Sequence, residues 1–187
     1  MPFSIGFHEP PSYPYDDPAT PQAKGILILG EAKEYFGSSL YQWSKKEYES
    51  QWGHAIKTLF DGKDRAALIT EYVRPEASTH LEWWPMYLIG NSVFIENQLL
   101  FYDQLAEPFS EQNAFSFLGE RRTMNEEGKK ISQSAVGMPD LEEFARATCT
   151  RQTRKYWVRN LRCGRISGNY REQTLHPEIP GIPGRAA

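Results

Sequence analysis

Hydrophobic residues recur at helical spacing in one long stretch of the chain. In SKKEYESQWGHAIKTLFDG, residues 44–62, Tyr48, Trp52, Ala55, Ile56, Leu59 and Phe60 fall on one side of a 3.6-residue period. Ser44 followed three residues later by Glu47 has the form of a capping box and Gly62 stops the run, so the pattern predicts a helix over 45–61. At about 1.5–3 kcal/mol for each large apolar side chain removed from water, such a stripe must dock on something. The neighbouring patterns supply a sheet. GILILGE, 25–31, suits a strand, and RAALITEYV, 65–73, is a β-branched and aromatic run ended by Pro75. WPMYLI, 84–89, and SVFIENQLL, 92–100, flank Gly90-Asn91, a two-residue hairpin turn. Residues 99–105 fit a strand or a helix, and PDLEEFARA from 139 predicts a second helix with Pro139 and acids in its first turn. The expected fold class is α+β: one domain with an antiparallel sheet, packed helices and flexible ends.

A two-residue turn sets Ile89 opposite Ser92, Leu88 opposite Val93, Tyr87 opposite Phe94, Met86 opposite Ile95 and Pro85 opposite Glu96. Trp84, Met86, Leu88, Val93, Ile95 and Leu99 then form an apolar face suited to the core. Trp83, Pro85, Tyr87, Ile89, Phe94, Glu96 and Gln98 form a second face, where rings lie beside a carboxylate and an amide. Either the second face is covered by a further helix or by the 105–118 segment, or it is a recognition surface with aromatic anchors for a basic partner. On the second reading the candidate binding residues are Trp83, Tyr87, Phe94, Glu96 and Gln98. Glu31, Glu34, Asp103 and Glu107 are the further carboxylates to consider.

Charge divides the chain. Residues 1–145 carry 22 acidic against 12 basic residues, net −10, whereas residues 146–187 carry 2 against 9, net +7. The expected organisation is a proline-rich arm over 1–24, an α+β domain over 25–145 and a basic, partly disordered extension over 146–187. An acidic body attracts basic partners and repels nucleic acid. In the extension, arginines interleaved with Tyr156, Trp157 and Tyr170 have the composition of a single-strand binder, which leaves a nucleic-acid-binding module as the alternative reading. A disordered extension or a basic strap neutralised by the body accounts for the same residues. No apolar run reaches the roughly 18 residues of a membrane span, and MPFSIGFHEP lacks the form of a signal peptide. With Cys149 and Cys163 as the two cysteines, there is no disulfide framework, and a cytoplasmic location is expected.

Catalytic motifs are missing from the sequence. It holds no His-Glu-x-x-His, no phosphate-binding loop, no Gly-rich dinucleotide turn and no Gly-x-Ser-x-Gly elbow. A site assembled by tertiary contact, such as His80 with Glu82 or His54 with Asp61, would make a small hydrolase. The expectation is nevertheless no enzyme, no metal and no cofactor.

The blocks YFGSSLYQWSKKEYESQWGHAIKTL, KDRAALITEYVRP, WWPMYLIGNSVFIENQLLFYDQLAEPF and ERRTMNEEGKKIS, spanning about residues 30 to 145, resemble immunity proteins of bacterial contact-dependent growth inhibition systems. The resemblance implies a cytoplasmic antitoxin that binds the C-terminal toxin domain of a cognate effector, often a nuclease, and blocks it without chemistry. A basic toxin domain is the partner implied. Contact residues do not transfer from the resemblance, because such interfaces diverge with each toxin.

Overall fold

The computed structural model describes residues 2–8 and 21–148. Two antiparallel sheets and two helices make up this part, an α+β fold as the periodicities predict. The first sheet has the order β1 (Phe3–Phe7), β2 (Gln22–Leu29), β3 (Ala32–Ser39). The second contains β4 (Arg65–Glu71), β5 (His80–Ile89), β6 (Ser92–Ile95), β7 (Gln98–Phe101) and β8 (Ser134–Gly137); its path is β4-β5-β6-β8, with β7 also paired to β5.

Strand β1 falls within the segment expected to be a proline-rich arm. Alternation explains it: Phe3 and Ile5 are buried while Ser4 and Gly6, which follow them, are not, and Phe3 pairs with Leu29 of β2. Order at the start of β2 likewise begins at Gln22 rather than 25. Pro10, Pro11, Pro14 and Pro18 lie outside the described residues, as does the extension beyond Thr148. Gly25 of β2 lies beneath the Phe36 ring of β3, where a Cβ would come within 2.1 Å of the ring, so only glycine allows this sheet its close cross-strand packing.

Helix α1 (Lys45–Phe60) has the predicted capping box, with Ser44 and Glu47 bonding reciprocally, and it buries Tyr48, Trp52, Ala55, Ile56 and Leu59. It also finishes the edge of β4. Leu88 N–H donates to Asp64 O, which sets the parity of β4 so that Ala67 and Ile69 turn their backbone groups away from β5. These groups are taken by the helix: Gln51 donates to Ala67 O (2.9 Å) and accepts from Ile69 N–H (3.0 Å), while the Trp52 indole donates to Ile69 O (2.7 Å). Tyr48 joins the sheets, donating to Ser39 O (2.9 Å) and accepting from Tyr72 N–H (3.0 Å). Burial pushes its phenol up to about 12. Helix α2 (Met138–Thr148) packs Phe144 edge-on against Phe3, ring centroids 5.2 Å apart.

Candidate interaction surface

The hairpin β5–β6–β7 is the spine of the second sheet, and its register is the one the turn demands. Ile89 faces Ser92, Leu88 faces Val93, Tyr87 faces Phe94 and Met86 faces Ile95, and Glu96 N–H donates to Pro85 O (3.2 Å). Gly90 has φ +62° and Asn91 does not share the positive φ, the pattern of a type II′ turn. Beyond the short break at Glu96 and Asn97, β7 continues in the same register to Phe101 opposite His80.

Of the five candidate residues on the second face, Trp83 is 2% exposed, Tyr87 6% and Glu96 1%; Phe94 and Gln98 are partly exposed. The covering comes from the chain between β7 and β8, extending past the 105–118 segment considered above. Arg65 donates to Leu118 O (3.2 Å) and Gly119 O (3.0 Å), fastening that connection over β4, and Leu118 is buried. Farther along, the Arg121 guanidinium stacks on Phe94, 3.8 Å from the ring centroid.

Beneath lies a polar relay. Arg121 Nε donates to Gln133 Oε1 (3.0 Å), and Gln133 Nε2 donates to Glu96 Oε2 (2.5 Å). Gln98 donates to the other oxygen, Oε1 of Glu96. The carboxylate is thus held inside by two side-chain amides, one of them polarised by a guanidinium. Burial raises the Tyr87 phenol and the nearby Glu96 carboxylate adds to the rise, against the pull of Arg65. With so little exposed surface, Trp83, Tyr87 and Glu96 build the hairpin's interior and present almost nothing to a partner.

The four further carboxylates lie at the surface. Glu31 occupies the β2–β3 turn and Glu34 lies on β3; Asp103 is in a 3₁₀ turn (Tyr102–Gln104) after β7, with Glu107 beyond it. The structure does not gather them into one cluster by any hydrogen bond or ion pair among the described residues.

A different group stands together on the hairpin's first face. Near the top of that face Met86, Val93 and Ile95 are buried, but Leu99 of β7 is 47% exposed and Phe101 37%. Leu99 has the parity of the core residues and was expected among them, yet it lies past the end of the covered region. Glu71, Glu82 and Leu99 are direct neighbours across β4, β5 and β7, and His80 is the neighbour of Phe101 in the next row. Burial and the facing Glu82 carboxylate raise the Glu71 carboxyl, with His80 pulling the other way. Asn97 Nδ2 donates to Glu82 Oε1 (2.9 Å), and the His80 ring lies 5.5 Å from that of Phe101. Sequence reasoning missed this row because it requires the β4–β5 register, which a bulge between Ile69 and Glu71 shifts.

The histidine pairs considered for catalysis have other contacts. His54 stacks on Phe115 at 5.7 Å while Asp61 pairs with Lys57, and His80 Nδ1 is hydrogen-bonded to the Thr79 hydroxyl (3.0 Å). Among the described residues no three His, Cys, Asp or Glu side chains come together to hold a metal ion, and no helix is long and apolar enough to cross a membrane.

Comparison with known proteins covers most of the described body. A family model described as the CdiI N-terminal domain matches residues 38–144. The Immunity protein CdiI of Enterobacter cloacae subsp. cloacae is 24% identical over 118 residues, which are 63% of this chain and 81% of that protein. A chain in the solved structure of a CdiA-CT/CdiI toxin and immunity complex from Enterobacter cloacae has the same fold, with a TM-score of 0.69 at 21% identity; the match covers 78% of this chain and 97% of that chain.

Proposed function

Since the chain belongs to the CdiI N-terminal domain family, we propose that it is an immunity protein, which binds the toxin domain of a cognate contact-dependent growth inhibition effector and neutralises it. Its part is that of a binder, not a catalyst. Family membership carries this reading, with the match running through α1, both halves of the hairpin and most of α2. The finer mechanism we infer is steric and electrostatic blocking of a basic toxin domain, a nuclease, in the cytoplasm. A body of net charge −10 over residues 1–145 is attracted to such a domain and competes with nucleic acid for the same positive surface.

The test is co-production of the full chain with the C-terminal toxin domain of a contact-dependent growth inhibition effector from the same organism. Cells survive the toxin domain only when the immunity protein is present, and the two proteins elute together as a stoichiometric complex. A toxin domain that kills in the presence of this chain and passes it without binding overturns the proposal.

A further inference from the structure

The row of Glu71, Glu82 and Leu99, with Phe101 beside it, has features that the fold itself does not require. Carboxylates directly opposite each other on neighbouring strands repel, and strands ordinarily set an opposite charge or an apolar pair there. Among the described residues neither glutamate forms an ion pair, and Glu82 has only the neutral amide of Asn97 as its side-chain hydrogen-bond partner. Leu99 and Phe101 extend the row with apolar surface, and no described strand lies on the outer side of β7. We propose that this row is the surface on which the toxin domain docks, through a basic patch that places a Lys or Arg against Glu71 and Glu82 and an apolar side chain against Leu99 and Phe101. The inference rests on the toxin-binding reading above.

Charge complementarity selects this occupant. A cation bound between the two glutamates relieves a repulsion that the free protein carries, so the interaction is stronger in the complex than the same charge on an isolated carboxylate. The exposed leucine and phenylalanine supply the apolar contact that excludes water from the ion pairs. Glu31 and Glu34, by comparison, flank Lys33, whose charge dilutes theirs.

The probe is the same C-terminal toxin domain, purified and titrated with the full chain. Glu82→Lys and the double variant Leu99→Ser/Phe101→Ser are each expected to weaken binding at least about 10-fold. Glu34→Lys and Glu107→Lys should stay within about 3-fold, and salt should weaken the wild type more steeply than Glu82→Gln. Thermal melts of the free variants accompany the titrations, and slowed amide exchange at residues 98–103 in the complex gives a second readout that needs no substitution. If the face variants bind like the wild type while Glu34→Lys or Glu107→Lys weakens binding, the docking face is wrong and the toxin-binding reading stands. If the wild type itself does not bind, both fall. If Glu82→Lys alters the melt or the oligomeric state of the free protein with toxin affinity unchanged, the row serves an intramolecular or self-contact, and the proposal is overturned.

Discussion

Glu96 is the residue whose position departs furthest from its chemistry, a carboxylate 1% exposed between the amides of Gln98 and Gln133. Removing it takes that acceptor from Gln98 and leaves Gln133 with Arg122 O alone, so Glu96→Ala is expected to destabilise the protein by about 1–3 kcal/mol in urea unfolding. Tyr87→Ala, which empties space beneath the same cover, should cost about 3 kcal/mol or more. The tryptophans divide similarly. Trp52→Phe strands the Ile69 carbonyl, whereas the buried indole N–H groups of Trp83 and Trp84 have no hydrogen-bond partner among the described residues, so Trp84→Phe gives up ring volume alone. Unfolding of the pair should place Trp52→Phe about 1 kcal/mol below Trp84→Phe. Glu71 has the opposite sign from an ion-paired carboxylate. Its folded pKa is raised above the ordinary 4.5, so the native state binds more protons than the unfolded state, and stability falls as pH rises from below 4.5 through the folded value. Glu71→Gln should therefore raise the melting temperature at pH 7, with the gain vanishing below about pH 4.5.

Among the elements, α1 has two roles that one stripe of residues performs together. Its apolar side fills the core, and Gln51 with Trp52 closes the edge of β4 against other strands. Gln51→Ala opens two backbone groups at that edge, and about 1–2 kcal/mol of stability should be lost, with self-association increasing in light scattering as the edge becomes available. The hairpin divides its length instead of its faces. Through its middle both faces are covered, one by the core and the other by the long connection pinned through Arg65 and Arg121; Ile89 beside the turn is exposed, and toward His80 and Phe101 the first face emerges into solvent. An element that is structural through its middle and exposed toward its end can present a binding row without unsettling its own register.

For the whole molecule, the separation of charge along the chain sets how it meets a partner. The described elements end at Thr148, and the core residues from Phe3 to Ala145 precede it. A chain ending at Thr148 is expected to show a cooperative melt and to retain protection against the toxin domain, since the core residues of the described part all lie within it. Loss of the cooperative melt would place Tyr156, Trp157 or Val158 in the fold. The −10 body should also give an association rate with a basic toxin domain that falls steeply with ionic strength in stopped-flow measurements.

Local signals in the sequence were enough for α1, its capping box, the Gly90-Asn91 turn and the hairpin register, because each depends on residues within one or two turns of chain or on a strand period that a short loop cannot slip. They also sufficed for the alternation of the two hairpin faces. What covers each face was decided by tertiary structure. Gln133 reaches Glu96 and Arg121 reaches Phe94 across stretches of 37 and 27 residues that carry no regular period, so nothing local announces them. Strand β1 was hidden for a related reason, as five residues before a proline-rich stretch become a strand only when Leu29 and its neighbours are there to pair with them. The row of Glu71, Glu82 and Leu99 depends on a bulge and on where the cover ends, two properties of the assembled sheet. Periodicity determines which side chains share a face; only packing determines whether that face meets the core, the chain's own loop or water.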